Sequence, residues 1–335
     1  MKNLYIVSSP FQTLCATEAK FHFQTKNNIL LIVNYSKDSH DNIHQIQNIV
    51  QLSSWDEIII IGESSKESKY KEYMKNIFTL KKYKYEFIFV GHFGQFQSIL
   101  LANLVYKNLY VIDDGVITLE LHKKELNPFV KKKREKFLKR VKFLRYKIFA
   151  LRLNFDKKKI NYFTMFALQA YYGEKIVHNN FIFMKQLLQD KQRDKSFIYF
   201  LGQPLFPSLI KEDDYIEALA NVKRFFQEKH IKVIYIPHRR ESHLESIASL
   251  EDDFFTIEKF SDIIEAELLK KDVLPMGIYS FLSTALFSLS SIYDTLEIAA
   301  FELEIEKFLT KKEAIANVYK TLEDNNISII RNYNG

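Results

Sequence analysis

Two adjacent carboxylates and a glycine interrupt an otherwise apolar stretch in LYVIDDGVITLEL, residues 109–121. A tight turn needs one acid and a glycine at most, so the pair Asp113 and Asp114 calls for a second use. A carboxylate at the end of a strand can take a proton from a substrate hydroxyl. In the second half, VIYIPHRRE at 233–241 sets His238 between Pro237 and the guanidinium groups of Arg239 and Arg240. A single histidine is more often structural, but one histidine with two arginines suits a phosphate. YSFLSTAL at 279–286 adds the hydroxyls of Ser283 and Thr284 at the start of a helical pattern, another arrangement that suits phosphate. A base for a hydroxyl and donors for a phosphate are the two needs of group transfer from a phosphorylated donor.

These residues must be positioned by the elements that precede them. In the first half, apolar β-rich runs at 4–7, 29–33, 57–61, 87–90 and 109–112 alternate with helical patterns at 11–23, 42–51, 66–80 and 96–105. Such alternation predicts βαβ units and a parallel sheet covered on both faces. A second alternation begins at 197, with strands expected at 197–201, 233–236 and 254–257. Its helices are expected at 213–229, 263–270, 284–289 and 311–322. The fold class is therefore α/β with two doubly wound domains. Ligands in such sheets bind beyond the carboxyl ends of the strands. That rule selects 8–12 (SSPFQ), 91–98 (GHFGQFQS) and 113–115 (DDG) in the first half, and 202–205 (GQPL), 237–241 and 279–286 in the second.

Each selected stretch also has a plainer use. Ser9 before Pro10 can cap a helix, Gly91 and Gly94 can serve turns, and Gly202-Gln203-Pro204 can be a simple loop. Ser283 can cap the helix that follows it.

The 335 residues are 47% hydrophobic and 27% charged, which describes a globular chain of up to two domains. The 8 glycines and 6 prolines are too few for a loop-rich or β-sandwich fold. A net charge of +7 invites anionic partners. Cys15 is the only cysteine, so an intramolecular disulfide and a cysteine zinc site are excluded. There is no Walker motif, no G-x-G-x-x-G and no HExxH, which weighs against ATPases, dinucleotide enzymes and zincins. The opening apolar run is too short for a signal-peptide core, and no uncharged run approaches the roughly 20 residues of a membrane span. The expected location is the cytoplasm. Between Lys131 and Arg152 the sequence KKKREKFLKRVKFLRYKIFALR has a helical period with an apolar side and dense positive charge. It reads either as a solvated connector or as a helix that rests on the anionic surface of the inner membrane.

YIVSSPFQTLCATEA at 5–19, the acid-acid-glycine motif, the histidine beside a proline and the hydroxyl pair occur together in order and spacing over most of the chain. In this combination the chain resembles the bacterial sialyltransferases of glycosyltransferase family 52, which act on lipooligosaccharide and capsule, and the related bacterial polysialyltransferases. The resemblance implies a GT-B fold, two Rossmann-like domains facing a central cleft. The expected divisions are an acceptor-side domain at 1–155, a helical connector at 156–195, a CMP-binding domain at 196–310, and a C-terminal helix and tail at 311–335. It implies an inverting transfer from CMP-sialic acid to a glycan or glycolipid hydroxyl, with no cofactor and no metal. Asp113 would be the general base, and His238 would contact the CMP phosphate and assist its departure. Glu267, or else Glu265, would hold the ribose, and Ser283 and Thr284 the phosphate oxygens. Ser9, Gln12, Asp114, Gly115, Gln203 and Arg239 complete the expected substrate contacts. The family reads His-Pro where this chain reads Pro237-His238-Arg239, so the rigid residue after the histidine is missing and an arginine stands there.

Competing readings within the class are a polysialyltransferase or a transferase of another sugar. Outside it, the basic segment would mark a membrane-surface adaptor or a nucleic-acid binder. No nucleic-acid module is recognisable, and no nucleic-acid partner is expected. A homodimer is left open.

Overall fold

Strands buried on both faces are built from continuous apolar runs, and the amphipathic segments between them form the covering helices. The computed structural model describes residues 1–34, 39–62, 69–125, 149–153, 155, 160–171, 173–241 and 244–333. The chain divides into two units, Met1–Phe183 and Met184–Gly335.

The first unit runs β1 (Lys2–Val7), α1 (Pro10–His22), β2 (Asn28–Val33), α2 (Ser39–Val50), β3 (Glu57–Ile61), α3 (Lys69–Leu80), β4 (Lys84–Val90), α4 (Gln95–Asn103), β5 (Val105–Ile112), α5 (Ile117–Glu125), β6 (Ile160–Thr164) and β7 (Ile176–His178). The strand order is β3-β2-β1-β4-β5-β6-β7, and each neighbouring pair is parallel. All six residues of β2 are buried, as a central strand between two helical layers requires. On one face, Tyr5 stacks on Phe89 at 4.7 Å and Phe89 on Tyr110 at 5.6 Å, an aromatic ladder across β1, β4 and β5.

After α6 (Ile182–Leu188), which spans the boundary, the second unit runs β8 (Gln192–Arg193), β9 (Phe197–Leu201), α7 (Glu212–Gln227), β10 (Lys232–Ile236), α8 (Leu244–Ala248), β11 (Phe255–Ile257), α9 (Ile264–Lys270), β12 (Val273–Leu274), β13 (Gly277–Ser280), α10 (Ala285–Ile292), β14 (Glu297–Phe301), α11 (Lys312–Asp324) and β15 (Ser328–Ile330). Its main sheet has the order β11-β10-β9-β13-β14-β15, again parallel throughout. Counted from the first strand, this is the Rossmann order 3-2-1-4-5-6, and the first unit has the same order with one further strand.

The observed divisions differ from those expected. Residues 160–178 contribute β6 and β7 to the first sheet rather than a connector, and α11 and β15 complete the second sheet rather than forming a tail. The physical reason is length: β7 and β15 have three residues each, too few to carry a pattern of their own. Of the basic stretch 131–152, only 149–152 falls among the described residues. There Phe149 and Ala150 form a turn, and Leu151 is buried in the first core. The membrane assignment rests on residues outside the described ones. Among the described residues no helix is long and apolar enough to cross a membrane.

Candidate functional site

A doubly wound sheet opens a crevice where the strand order reverses. That point lies between β1 and β4 in the first unit and between β9 and β13 in the second.

In the first unit, Ser9 caps α1, its Oγ accepting from Gln12 N at 3.2 Å, with Pro10 in the first turn. The capping use expected as one alternative is present. Gln12 is buried, and its Oε1 accepts from both Ser8 N (2.8 Å) and Ser8 Oγ (3.1 Å). Gly91, the residue after β4, is needed for room, because a Cβ there would lie 2.2 Å from the Gln12 side chain. Ser8 Oγ also meets His92 Nδ1 at 3.1 Å. Burial pushes the His92 pKa down while the nearby Asp114 charge pulls it back up.

The two acids after β5 have separate environments. Asp113 is 0% exposed. Its Oδ1 accepts from Thr164 Oγ1 (2.6 Å) and its Oδ2 from Met165 N (2.7 Å), both at the end of β6. Burial raises its pKa to about 7, against the pull of the Thr164, Met165 and Thr118 hydrogen bonds. The expectation of Asp113 as a carboxylate open to a ligand is thus corrected: both of its oxygens face inward and tie β5 to β6. Asp114 is half-buried, and its backbone N donates to Thr118 Oγ1 at 2.9 Å. Thr118 therefore bridges the two acids, since its hydroxyl also reaches Asp113. Gly115 follows with φ +59°, the left-handed region that glycine enters without strain, and turns the chain into α5.

In the second unit, Gln203 joins the two sides of the crevice. Its Oε1 accepts from Leu282 N at 2.6 Å, just beyond β13. His238 is half-buried beyond β10, and Arg239 and Arg240 are exposed. Burial lowers the His238 pKa, and the charges of Arg239 and Arg240 lower it further. Arg240 N donates to His238 Nδ1 at 3.1 Å, so the ring proton of the neutral form sits on Nε2. Glu241 closes this turn: Glu241 N donates to His238 O at 2.8 Å and Glu241 Oε2 accepts from His238 N at 3.0 Å. The rigidity that a following proline would give is supplied by these bonds. Ser283 and Thr284 precede α10. Ser283 is half-buried with its Oγ accepting from Ala285 N at 3.3 Å, and Thr284 is exposed.

Glu267 stands in the first turn of α9 and braces the loop before it. Its Oε1 accepts from Ser261 N (2.9 Å), Ser261 Oγ (2.9 Å) and Asp262 N (2.7 Å), fixing the turn before α9. Burial works against its charge, but these bonds and Lys270 leave the pKa lowered. Glu265 is buried and accepts from Ser288 Oγ inside the unit. Two residues that lay inside the selected stretches 91–98 and 237–241 without an assigned role, His92 and Glu241, take part in the crevices.

No protein-family model and no curated protein matches the chain. Solved structures do. The S. aureus MnaA–UDP structure is similar at 13% identity and TM-score 0.52, covering 97% of this chain and 88% of that one. Methanocaldococcus jannaschii UDP-GlcNAc 2-epimerase, in complex with UDP-GlcNAc and UDP, is similar at 10% identity and TM-score 0.50, covering 99% and 89%. Neisseria meningitidis UDP-GlcNAc 2-epimerase bound to UDP-GlcNAc is similar at 11% identity and TM-score 0.50, covering 100% and 96%. At such identity the likeness is one of fold, and the fold is GT-B: two Rossmann-like α/β units in one chain.

Proposed function

We propose that this chain is a nucleotide-sugar transferase, with CMP-sialic acid as donor and a glycan hydroxyl as acceptor. The observation that carries the proposal is the His238 turn: a neutral imidazole with Nε2–H as its donor, beside two exposed arginines, directly after a strand of a Rossmann sheet. Such a set holds the phosphate of a leaving nucleoside monophosphate. The motif resemblance supplies the cytidine and the sialyl group, and the neighbours of known structure are supporting company because they bind UDP and UDP-GlcNAc.

In the first unit Asp114, the more accessible acid, takes the proton of the acceptor hydroxyl. Asp113 holds the turn beneath it through Thr118 and Thr164. The acceptor oxygen forms its bond to the anomeric carbon as the bond from that carbon to the phosphate oxygen breaks, and configuration inverts. The electron pair leaves with CMP, whose phosphate accepts from His238 Nε2–H, with Arg239 and Ser283 as further donors. Phosphate stabilised by organic donors leaves no step that calls for a metal ion.

A second reading is favoured by the fold likeness to UDP-bound proteins: a transferase or epimerase of a uridine nucleotide sugar. Thermal stabilisation by CMP, UDP and ADP separates the two, followed by mass analysis of products from CMP-sialic acid and a panel of galactosides and sialosides. Stabilisation by CMP and a sialylated product are expected. Stabilisation by UDP alone, without a sialylated product, would hand the site to the second reading.

A further inference from the structure

We infer that Glu241 is the positioning residue that fixes the tautomer of His238, and so makes Nε2–H the donor to a phosphate monoester. The inference rests on the proposed nucleotide site of the second unit and adds how its histidine is set.

Glu241 is held from below. Its Oε1 accepts from Tyr235 OH at 2.6 Å, and Tyr235 OH in turn meets Tyr215 OH at 3.0 Å. Both tyrosines are fully buried. Its Oε2 accepts from His238 N, which draws the backbone of the turn onto the carboxylate. With the turn closed, Arg240 N is aimed at His238 Nδ1. A backbone amide can only donate, so Nδ1 must accept and the ring proton must sit on the other nitrogen. The chain makes room for this clasp at Gly202, directly after β9. A Cβ there would lie 2.3 Å from Tyr235 OH and 2.6 Å from Glu241 Oε2. Gly202, Tyr235 and Glu241 are thus one device, drawn from the ends of two neighbouring strands and the turn after one of them.

The test uses the full chain with 15N-labelled histidine at mildly alkaline pH, where the ring is neutral. The His238 signals are identified by their loss in His238→Ala. The parent is expected to show an acceptor-type Nδ1 and a protonated Nε2. In Glu241→Ala the two nitrogens should move toward a tautomer mixture, and the CMP dissociation constant should rise about tenfold, the scale of one lost bond to a charged group. Glu241→Gln keeps an acceptor oxygen and should restore most of both readouts. Tyr235→Phe removes only the lower anchor and serves if Glu241→Ala does not fold; it should shift both readouts in the same direction by less. A parent ring protonated on Nδ1 would overturn the inference. So would a folded Glu241→Ala with unchanged tautomer and unchanged CMP affinity. If the parent binds neither CMP nor inorganic phosphate, the nucleotide assignment falls by itself, and the ligand-free tautomer comparison still decides whether Glu241 sets the ring.

Discussion

The carboxyl ends of the two sheets share a construction and differ in sign. In each, a glutamine from the segment after the first strand crosses the point where the strand order reverses. Gln12 fills the space left by Gly91, and Gln203 accepts from Leu282 N. Around that common brace the first unit gathers Asp113, Asp114 and His92, whereas the second gathers His238, Arg239 and Arg240. Burial raises the pKa of the acid in one and lowers that of the imidazole in the other. The same backbone order thus carries carboxylates at one end and an imidazole beside two exposed arginines at the other. Topology sets where chemistry can occur, and a few loop residues set its charge.

The comparison is most sharply broken by exchanging acid for amide in the first unit. Asp114→Asn should lower transfer by about a hundredfold or more, as expected for a positioned base, with CMP affinity nearly unchanged. Asp113→Asn should act less strongly on turnover; the reverse order in initial rates would return the base to Asp113. In the second unit, His238→Ala or Arg239→Ala should raise the CMP dissociation constant about tenfold by calorimetry, on the scale of hydrogen bonds to charged groups. Unchanged affinity in both would remove the phosphate from that turn.

The glycines test the construction rather than the charges. Gly91→Ala should destabilise the first unit by about 1–3 kcal/mol in urea unfolding, because the new methyl overlaps Gln12. Gly115→Ala meets no atom within 4 Å and should cost only about 1 kcal/mol, for the left-handed backbone. Equal losses would mean that space at the Gln12 brace is not limiting.

The buried acid of the first unit also sets a pH slope. The Asp113 carboxyl ionises near pH 7 when folded and near about 3.9 when unfolded. Between those values the folded chain holds the extra proton, so this group's stabilising contribution is full below about pH 4 and lost as pH rises through 7. Asp113→Asn should flatten that part of the stability profile. An unchanged slope would assign it to other groups.

Much of this architecture could be read from the sequence, for a physical reason. β1 and β2 carry continuous apolar runs after their first polar residues, and β9 is one throughout; burial on both faces demands such runs. β6, INYFT, was hidden because a polar residue and a tyrosine sit inside five residues. β13, GIYS, has only four residues and begins with glycine, too little to carry a strand pattern. The strand-end placement of Asp113, Asp114 and His238 was legible from the apolar runs before them. The orientation of the acids was not, because the partners of Asp113 lie 51 and 52 residues further along. The same holds for the use of Glu267, whose carboxylate is turned back on the amides of its own preceding loop.

The central place of β9 has a consequence during synthesis. Its end meets β13 through Ser280 Oγ and Leu201 O, which are 79 residues apart. At about 5–20 residues per second of translation, the ribosome needs roughly 4–16 s to supply that partner. Throughout this interval β9 has at least one open edge of unpaired backbone groups, which invites pairing with another nascent chain. Slower elongation past residue 201 would lengthen the hazard, and holdase chaperones would have their strongest claim on the chain in that window.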